Sequence, residues 1–350
     1  MTIFWFFLWS LLKIILVVVI FLLGVAYTVL LERKLVARIQ NRWGPSRVGP
    51  FGLLQPLVDG AKSFLKEDLI PTSVYKPLYL LAPLISLGSA LILIGVVPFG
   101  NPDINYKGFR FFEIADINVG LLVLLAVTSI GVYGIALSGW SSNNKYSLLG
   151  SLRSSAQMVS YELALGLSLV GAVLRTGSLN LREIVEAQSS GYGLLSWNIF
   201  GGWQFIAFFV YLMAAFAETN RAPFDLPEAE SELTGGYHTE YSSMKFAMFF
   251  MAEYGNMINV GCVATLLFLG GWTSPFGNLF PTPQNAFLLA ILPLFWFLFK
   301  VFSFLFLYVW VRGTLPRFRY DQLMNYGWRF LLPLAILNIV GTSLWLAYKQ

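Results

Sequence analysis

The segment ETNRAPFDLPEAESELTGGYHTEY, residues 218–241, holds six of the chain's eighteen acidic side chains: Glu218, Asp225, Glu228, Glu230, Glu232 and Glu240. Pro227 suits a first helical position, and acidic groups in the turn after it are favoured by the helix dipole. Glu228 and Glu232 would then share one face and repel. Phe224, Leu226, Leu233, Tyr237 and Tyr241 are too apolar for a segment open to water. Carboxylates crowded beside apolar walls titrate as a coupled set and take up protons readily. The pattern fits a proton-coupled role, with a partner-docking or purely structural surface as the alternative.

Two further carboxylates lie inside apolar runs. Glu162 occurs in SAQMVSYELALGLSL and Glu253 in MKFAMFFMAEYGNMINV, each placed two turns into its run. Glu218 closes the run before the acidic segment. An uncompensated charge near a bilayer centre costs about 3 kcal/mol or more, so such groups face a polar interior or a partner. A file of Glu162, Glu218 and Glu253 beside the acidic segment resembles a proton relay. Pairing of each with a lysine or arginine is the structural alternative. Lys13 and Lys300, also within apolar runs, fit as such partners or as residues that snorkel.

The elements that position these groups follow from composition. The chain is 57% hydrophobic and 12% charged over 350 residues, where a soluble protein carries about 25% charged residues. Eight apolar runs approach the ~20 residues that cross a bilayer: about 4–30, 77–98, 119–138, 155–174, 203–217, 244–270, 287–310 and 328–347. In lipid the backbone must satisfy itself, so each is a helix. The expected fold is all-α, a polytopic integral membrane protein with about eight transmembrane helices, in one membrane domain over residues 1–350. The first run has no basic leader and no small-residue cleavage site before Glu32, so it is expected to be retained and not removed as a signal peptide. One cysteine, Cys262, and one histidine, His238, cannot supply the ligands of an iron–sulfur cluster, a structural zinc or a bis-histidine haem. No cofactor or metal is therefore expected on this chain, and any redox centre must belong to a partner.

Positive charge divides the loops unevenly. Arg33, Lys34, Arg38, Arg42, Arg47, Lys62, Lys66, Lys76, Lys145, Arg221, Arg312, Arg317 and Arg319 fall on one side, and Lys107, Arg110, Arg175 and Arg182 on the other. The positive-inside rule puts the larger set and the acidic segment in the cytoplasm, with both termini opposite. The net charge of +5 follows from that topology and not from binding nucleic acid. In GPFGLLQPLVDGAKSFLKED, residues 49–68, Leu53, Leu54, Leu57, Val58, Ala61, Phe64 and Leu65 recur at helical spacing. Asp59, Lys62, Lys66 and Glu67 fall elsewhere on the wheel. This predicts an amphipathic helix lying in the membrane interface, with a solvated helix packed on its own protein as the alternative. GPSRVGP breaks the helix before it. The basic collar beginning at Glu32 and Arg33 either anchors to anionic lipid or, with the amphipathic helix, frames a lateral opening for a lipid-like substrate.

Four stretches carry a family resemblance. They are ERKLVARIQNRWGPSRVGPFGLLQPLVDGAKSFLKED (32–68), GWSSNNKYSLLGSLRSSAQMVSYE (139–162), AETNRAPFDLPEAESELTGGYHTEYSSMKFAMFFMAEY (217–254) and WVRGTLPRFRYDQLMNYGWRFLLPLAILN (310–338). Over nearly the whole chain they resemble the H subunit (subunit 1) of proton-pumping NADH:quinone oxidoreductase, respiratory complex I. The resemblance implies a membrane subunit that forms the membrane part of the quinone chamber. It implies other membrane and peripheral-arm subunits as partners, FMN and iron–sulfur clusters among them, with quinone as substrate and lipid around. Proton coupling is then expected of Glu162, Glu218, Asp225, Glu228, Glu230, Glu232, Glu240 and Glu253. The chamber and its entrance are expected at Glu32, Arg33, Arg42, Asp59, Lys62 and Phe224. The implied location is a bacterial inner membrane, with the mitochondrial inner membrane as the alternative. The homologous component of an ion-pumping hydrogenase and a stand-alone proton-coupled transporter are the competing functions.

The topology is testable by labelling. With cysteines introduced as Lys145→Cys and Lys107→Cys, reagent applied to one face of intact vesicles is expected to reach only one of the two. Reaction of both from the same face would overturn the charge-based topology.

Overall fold

Each apolar run becomes a helix whose ends are set by local breakers. α1 spans Ile3–Ile39 and stops ahead of GPSRVGP. A turn at Pro50–Gly52 leads into α2, Gln55–Leu65. There follow α3 (Lys76–Val96), α4 (Gly120–Ser141), α5 (Lys145–Thr176), α6 (Leu181–Ser189) and α7 (Gln204–Glu218). Beyond the acidic segment come α8 (Ser243–Phe268), α9 (Ala286–Thr314), α10 (Tyr320–Tyr326) and α11 (Leu332–Lys349). The computed structural model describes residues 3–101, 105–106, 109–110, 112–189, 193–225, 235–277 and 286–349.

Among the described residues, six helical stretches are long and apolar enough to cross a membrane: α1, α3, α4, α5, α9 and the α10–α11 stretch. α7 is apolar but only 15 residues long, and α8, 26 residues long, is made more polar by Glu253, Asn256 and Asn259. The eight runs read from sequence thus become six spans by length and composition, one shorter apolar helix and one polar-faced helix.

α5 begins ten residues before its apolar run. Asn144 caps it, its side-chain oxygen accepting from the Tyr146 N–H at 3.0 Å, as an N-cap does. The early turns turn Ser147, Ser151, Ser154 and Gln157 inward, all fully buried. Glu162 therefore sits nearly five turns into its helix and not two. α2 is shorter than the 49–68 stretch: Pro56 sits in its first turn, where proline is tolerated, and the chain becomes extended at Lys66. It buries none of its residues, and Leu57, Phe64 and Leu65 point outward.

The loops sort into two sets by their hydrogen bonds. At one end the Tyr75 N–H donates to Ser141 O at 3.1 Å and the Phe318 N–H to Pro223 O at 3.1 Å. There Ser147 Oγ donates to Tyr237 O at 3.0 Å, and Ser243 Oγ meets the Ser63 carbonyl at the end of α2 at 2.9 Å. At the other end the Leu121 N–H donates to Leu179 O and the Leu194 N–H to Pro275 O, at 3.1 and 3.0 Å. Lys13 reaches the Glu113 carbonyl there at 2.5 Å. Both α7 and α8 run from one end to the other. The first end collects the larger set of positive charges; the second holds both termini. α3 and α4 pack backbone to backbone, since a Cβ on Gly134 would lie 2.9 Å from Ser86 N and 3.0 Å from Ala82 O. Small residues at such crossings are the usual solution where lipid supplies no hydrophobic drive between helices.

Lys300 on α9 is buried without a carboxylate. Its ammonium donates to the carbonyls of Leu269, Gly271 and Thr273 at 2.7, 2.9 and 2.8 Å, just past the C-terminus of α8, where a cation is favoured. It also lies 4.1 Å from the Trp197 ring centroid. All three of its N–H groups are used. Lys300→Met removes this donor and leaves the carbonyls buried, at a cost of about 1–3 kcal/mol for each group left unsatisfied. The expected result is a lower thermal midpoint of the purified protein; an unchanged midpoint would show the cage to be dispensable.

Candidate functional site

Arg221 lies in the turn after α7. Two residues past the end of that helix Asn220 lies in the left-handed region (φ 51°), and the Arg221 N–H returns to Phe216 O at 3.4 Å. The turn is splinted by the fully buried Gln157 of α5, whose amide donates to Ala217 O and Phe224 O, each at 2.8 Å. The side chain of Arg221 is thereby held inside the bundle, 4% exposed. Its Nε lies 2.7 Å from Glu253 Oε1 on α8 and its Nη1 3.7 Å from Glu32 Oε2 on α1. The guanidinium carbon stands 4.1 Å from the Tyr254 ring centroid. Tyr254 donates its hydroxyl to Glu32 Oε2 at 3.0 Å, and the second Glu32 oxygen accepts from Arg312 of α9. Among the described residues, two guanidiniums and two carboxylates thus meet where α1, α8, α9 and the loop after α7 join, with Arg312 at the edge, its side chain 35% exposed.

The expected proton-coupling residues divide. Glu253 belongs to that junction, and Asp225 pairs with Arg317 at 3.2 Å, so for these two the structural alternative holds as far as pairing goes. Glu240 accepts from the Asn144 amide at 2.6 Å, and its carbonyl accepts the Tyr79 hydroxyl at 2.7 Å. Tyr79 stacks on Tyr241 with centroids 4.1 Å apart. Burial pushes the Tyr241 hydroxyl up to about 12, against a smaller opposite pull from Ser141. It therefore stays protonated and donates to Tyr79 O at 3.2 Å. Glu162 accepts a hydrogen bond from Ser129 of α4. Glu218 Oε2 is buried with no hydrogen-bond partner among the described residues. Glu162 and Glu218 stand on α5 and α7, which pack against each other. Glu228, Glu230 and Glu232 lie outside the described residues.

The entrance residues divide as well. Arg33 and Asp59 form an exposed pair at 2.6 Å, and Gln55 donates to the other Asp59 oxygen at 2.9 Å. Lys62 is exposed on the same helix. Arg42 turns to Gln40 at 2.8 Å and is not gathered with them. Glu32 is not a surface collar residue but the buried centre described above. Phe224 is buried, stacked on Phe318 at 5.6 Å and tilted against Tyr161 at 6.0 Å.

Sequence reasoning missed Arg221 and Arg312 as site residues, counting them only as loop charge, and it missed Tyr254 and Gln157 altogether. The available signal was Arg221 itself, a lone cation between an apolar helix and a carboxylate-rich segment.

These features define a polytopic helical membrane protein with a buried ionic junction and interior carboxylates at one end. Residues 12–343 match the NADH dehydrogenase family. The chain is 61% identical over 350 residues to the NADH-quinone oxidoreductase H subunit numbered 2 of Koribacter versatilis, covering 97% of each. It is 48% identical to the NADH-quinone oxidoreductase H subunit numbered 1 of Solibacter usitatus, over 97% of each chain. It is also 48% identical to the eighth-numbered NADH-quinone oxidoreductase subunit of Rhodothermus marinus, again over 97% of each. The chain belongs to the NADH dehydrogenase family of membrane subunits.

Removing one partner from a buried ion pair costs about 3–5 kcal/mol. Arg221→Gln is therefore expected to lower the yield or thermal midpoint of the assembled protein sharply. Adding Glu253→Gln should recover part of the loss, because it removes the carboxylate left without its counter-charge. A double variant as impaired as the sum of the two singles would show that the two side chains are not coupled.

Proposed function

We propose that this chain is the H subunit of a proton-pumping NADH:quinone oxidoreductase in a bacterial inner membrane. In this reading it forms the membrane part of the quinone chamber and carries no redox centre itself. FMN and iron–sulfur clusters belong to its partner subunits. The observation that carries the reading is the full-length likeness to proteins named as that subunit. None of the relatives quoted is named for a hydrogenase or a transporter.

The geometry supports a division of labour. Outward-facing Leu57, Phe64 and Leu65 on α2, with the Arg33–Asp59 pair and Lys62 beside them, suit an opening through which an amphipathic quinone passes from lipid. The buried Glu32 and Phe224 stand further in, as chamber wall. Reduction of a quinone takes two electrons, supplied by a partner, and two protons, so charge appears and is neutralised within a low-dielectric site. Ionisable groups nearby feel that change strongly. Glu218, whose Oε2 is buried without a partner among the described residues, is the best-placed group to answer it, with Glu162, Glu228, Glu230, Glu232, Glu240, Asp225 and Glu253 extending the response. The acidic segment thereby carries the charge state of the quinone toward distant pumping subunits.

The test is isosteric. Gln keeps the shape of Glu but cannot titrate. A Glu162→Gln, Glu228→Gln double variant is expected to assemble, to keep NADH:ferricyanide activity, and to lose most quinone reduction and pumping in membrane vesicles. Glu→Asp at the same positions should keep part of both. Wild-type rates and pumping in the Gln double variant would refute the coupling and leave the segment as a docking surface.

A further inference from the structure

Two neighbouring cavities lie between the packed helices among the described residues. The first opens toward the acidic-segment end, between Ser86, Met158, Asn220, Tyr237 and Glu253, and has room for water centres of about 30 Å³. The second lies deeper among leucines of α3, α4 and α5, with about 40 Å³. One water needs roughly 10–15 Å³ on this measure, so each can hold more than one. Among the residues lining them, only Glu218 and Asn256 belong to both.

The unpartnered atoms that Glu218, Asn256 and Asn259 present here are all acceptors, and Ser86 Oγ, an unpartnered hydroxyl, also lines the first cavity. Glu218 Oε2, Asn256 Oδ1 and Asn259 Oδ1 are buried and have no hydrogen-bond donor among the described residues. Asn259 is 3% exposed, and its amide is oriented by donation to Ala90 O at 2.9 Å, which leaves its oxygen for the second cavity. Asn256 and Asn259 are three residues apart on α8 and so share a face. Buried acceptors without donors each cost about 1–3 kcal/mol. What satisfies a set of acceptors in a small cavity is a molecule with two O–H donors. The second cavity is otherwise walled by Leu93, Leu121, Leu125 and Leu165, so its polar contacts are confined to this strip and to Tyr211 and Thr128. Thr128 adjoins Ser129, the residue that donates to Glu162.

We infer that Asn256 is a positioning residue, holding a water that donates to Glu218 and continues along Asn259 into the second cavity. Glu218 then has a proton route into the bundle interior that does not pass through the acidic segment. The inference rests on the proposed coupling role of Glu218. The transfer is balanced: the water held by Asn256 gives a proton to the Glu218 carboxylate while its oxygen takes one from a neighbouring water on the second-cavity side, and no electron moves.

The experiment uses the assembled complex. Asn256→Leu keeps the size and removes the acceptor; Asn256→Ser restores a hydroxyl that can hold water. Expected for Asn256→Leu is a fall in kcat for quinone reduction of about tenfold or more, a shifted pH profile, unchanged quinone KM and unchanged NADH:ferricyanide activity. Asn256→Ser should recover much of kcat and the pH profile. Equal losses in Leu and Ser, or a wild-type profile in Leu, overturn the inference. So does a map of the wild-type complex, fine enough to show ordered solvent, with none between Glu218 and Asn256; that arm holds even where the Leu variant does not assemble. Glu218→Gln separates the two layers. A wild-type rate in Glu218→Gln defeats the coupling role itself, whereas a stalled Glu218→Gln beside a normal Asn256→Leu defeats only the role of Asn256.

Discussion

A guanidinium buried among helices must be neutralised where it lies, because the desolvation of an isolated charge runs to several kcal/mol. Arg221 meets that requirement by drawing Glu253 from α8 and Glu32 from α1, while Glu32 in turn holds Arg312 of α9. No one of these helices can shift along its axis without separating opposite charges in a poorly screening medium. The rest of the site inherits its geometry from this constraint. The Gln157 splint sets the turn that delivers Arg221, and the Tyr254 ring covers the guanidinium face. Asp225 and its partner Arg317 lie just beyond, where the acidic segment begins.

Much of this was legible in the residues, and the failures have physical causes. Apolar runs located every long helix, since length and hydropathy are what a bilayer selects. The charge bias separated the loops into the same two groups that the hydrogen bonds later joined. The start of α5 was misplaced because Ser147, Ser151, Ser154 and Gln157 read as loop, although their polar groups face the interior and not water. A hydropathy window cannot tell a polar face that packs inside from one that is solvated. The start of α2 is marked by Pro56 in its first turn, which a helical wheel ignores.

The carboxylates show the limit of one-dimensional reading most sharply. Composition announced that acidic groups are crowded near residues 218–241 and inside two apolar runs. It could not say that Glu253 and Asp225 have arginine partners while Glu218 Oε2 is buried without a partner among the described residues. Nor could it say that Glu32, apparently the first residue of an exposed basic collar, is the acceptor on which three other side chains converge. Such distinctions depend on contacts between residues tens to hundreds of positions apart, and one sequence does not encode them visibly.

The Lys300 cage bears on how the chain is made. A lysine midway along a 29-residue apolar helix opposes partition from the insertion machinery into lipid by about 2.5–3.5 kcal/mol. The three carbonyls that satisfy it, at Leu269, Gly271 and Thr273, all precede α9 in the chain. They leave the ribosome first, and the end of α8 can therefore be waiting when α9 arrives. Biogenesis of the C-terminal third is in this sense templated: the charge of Lys300 finds its partners only once the end of α8 is in place to receive it.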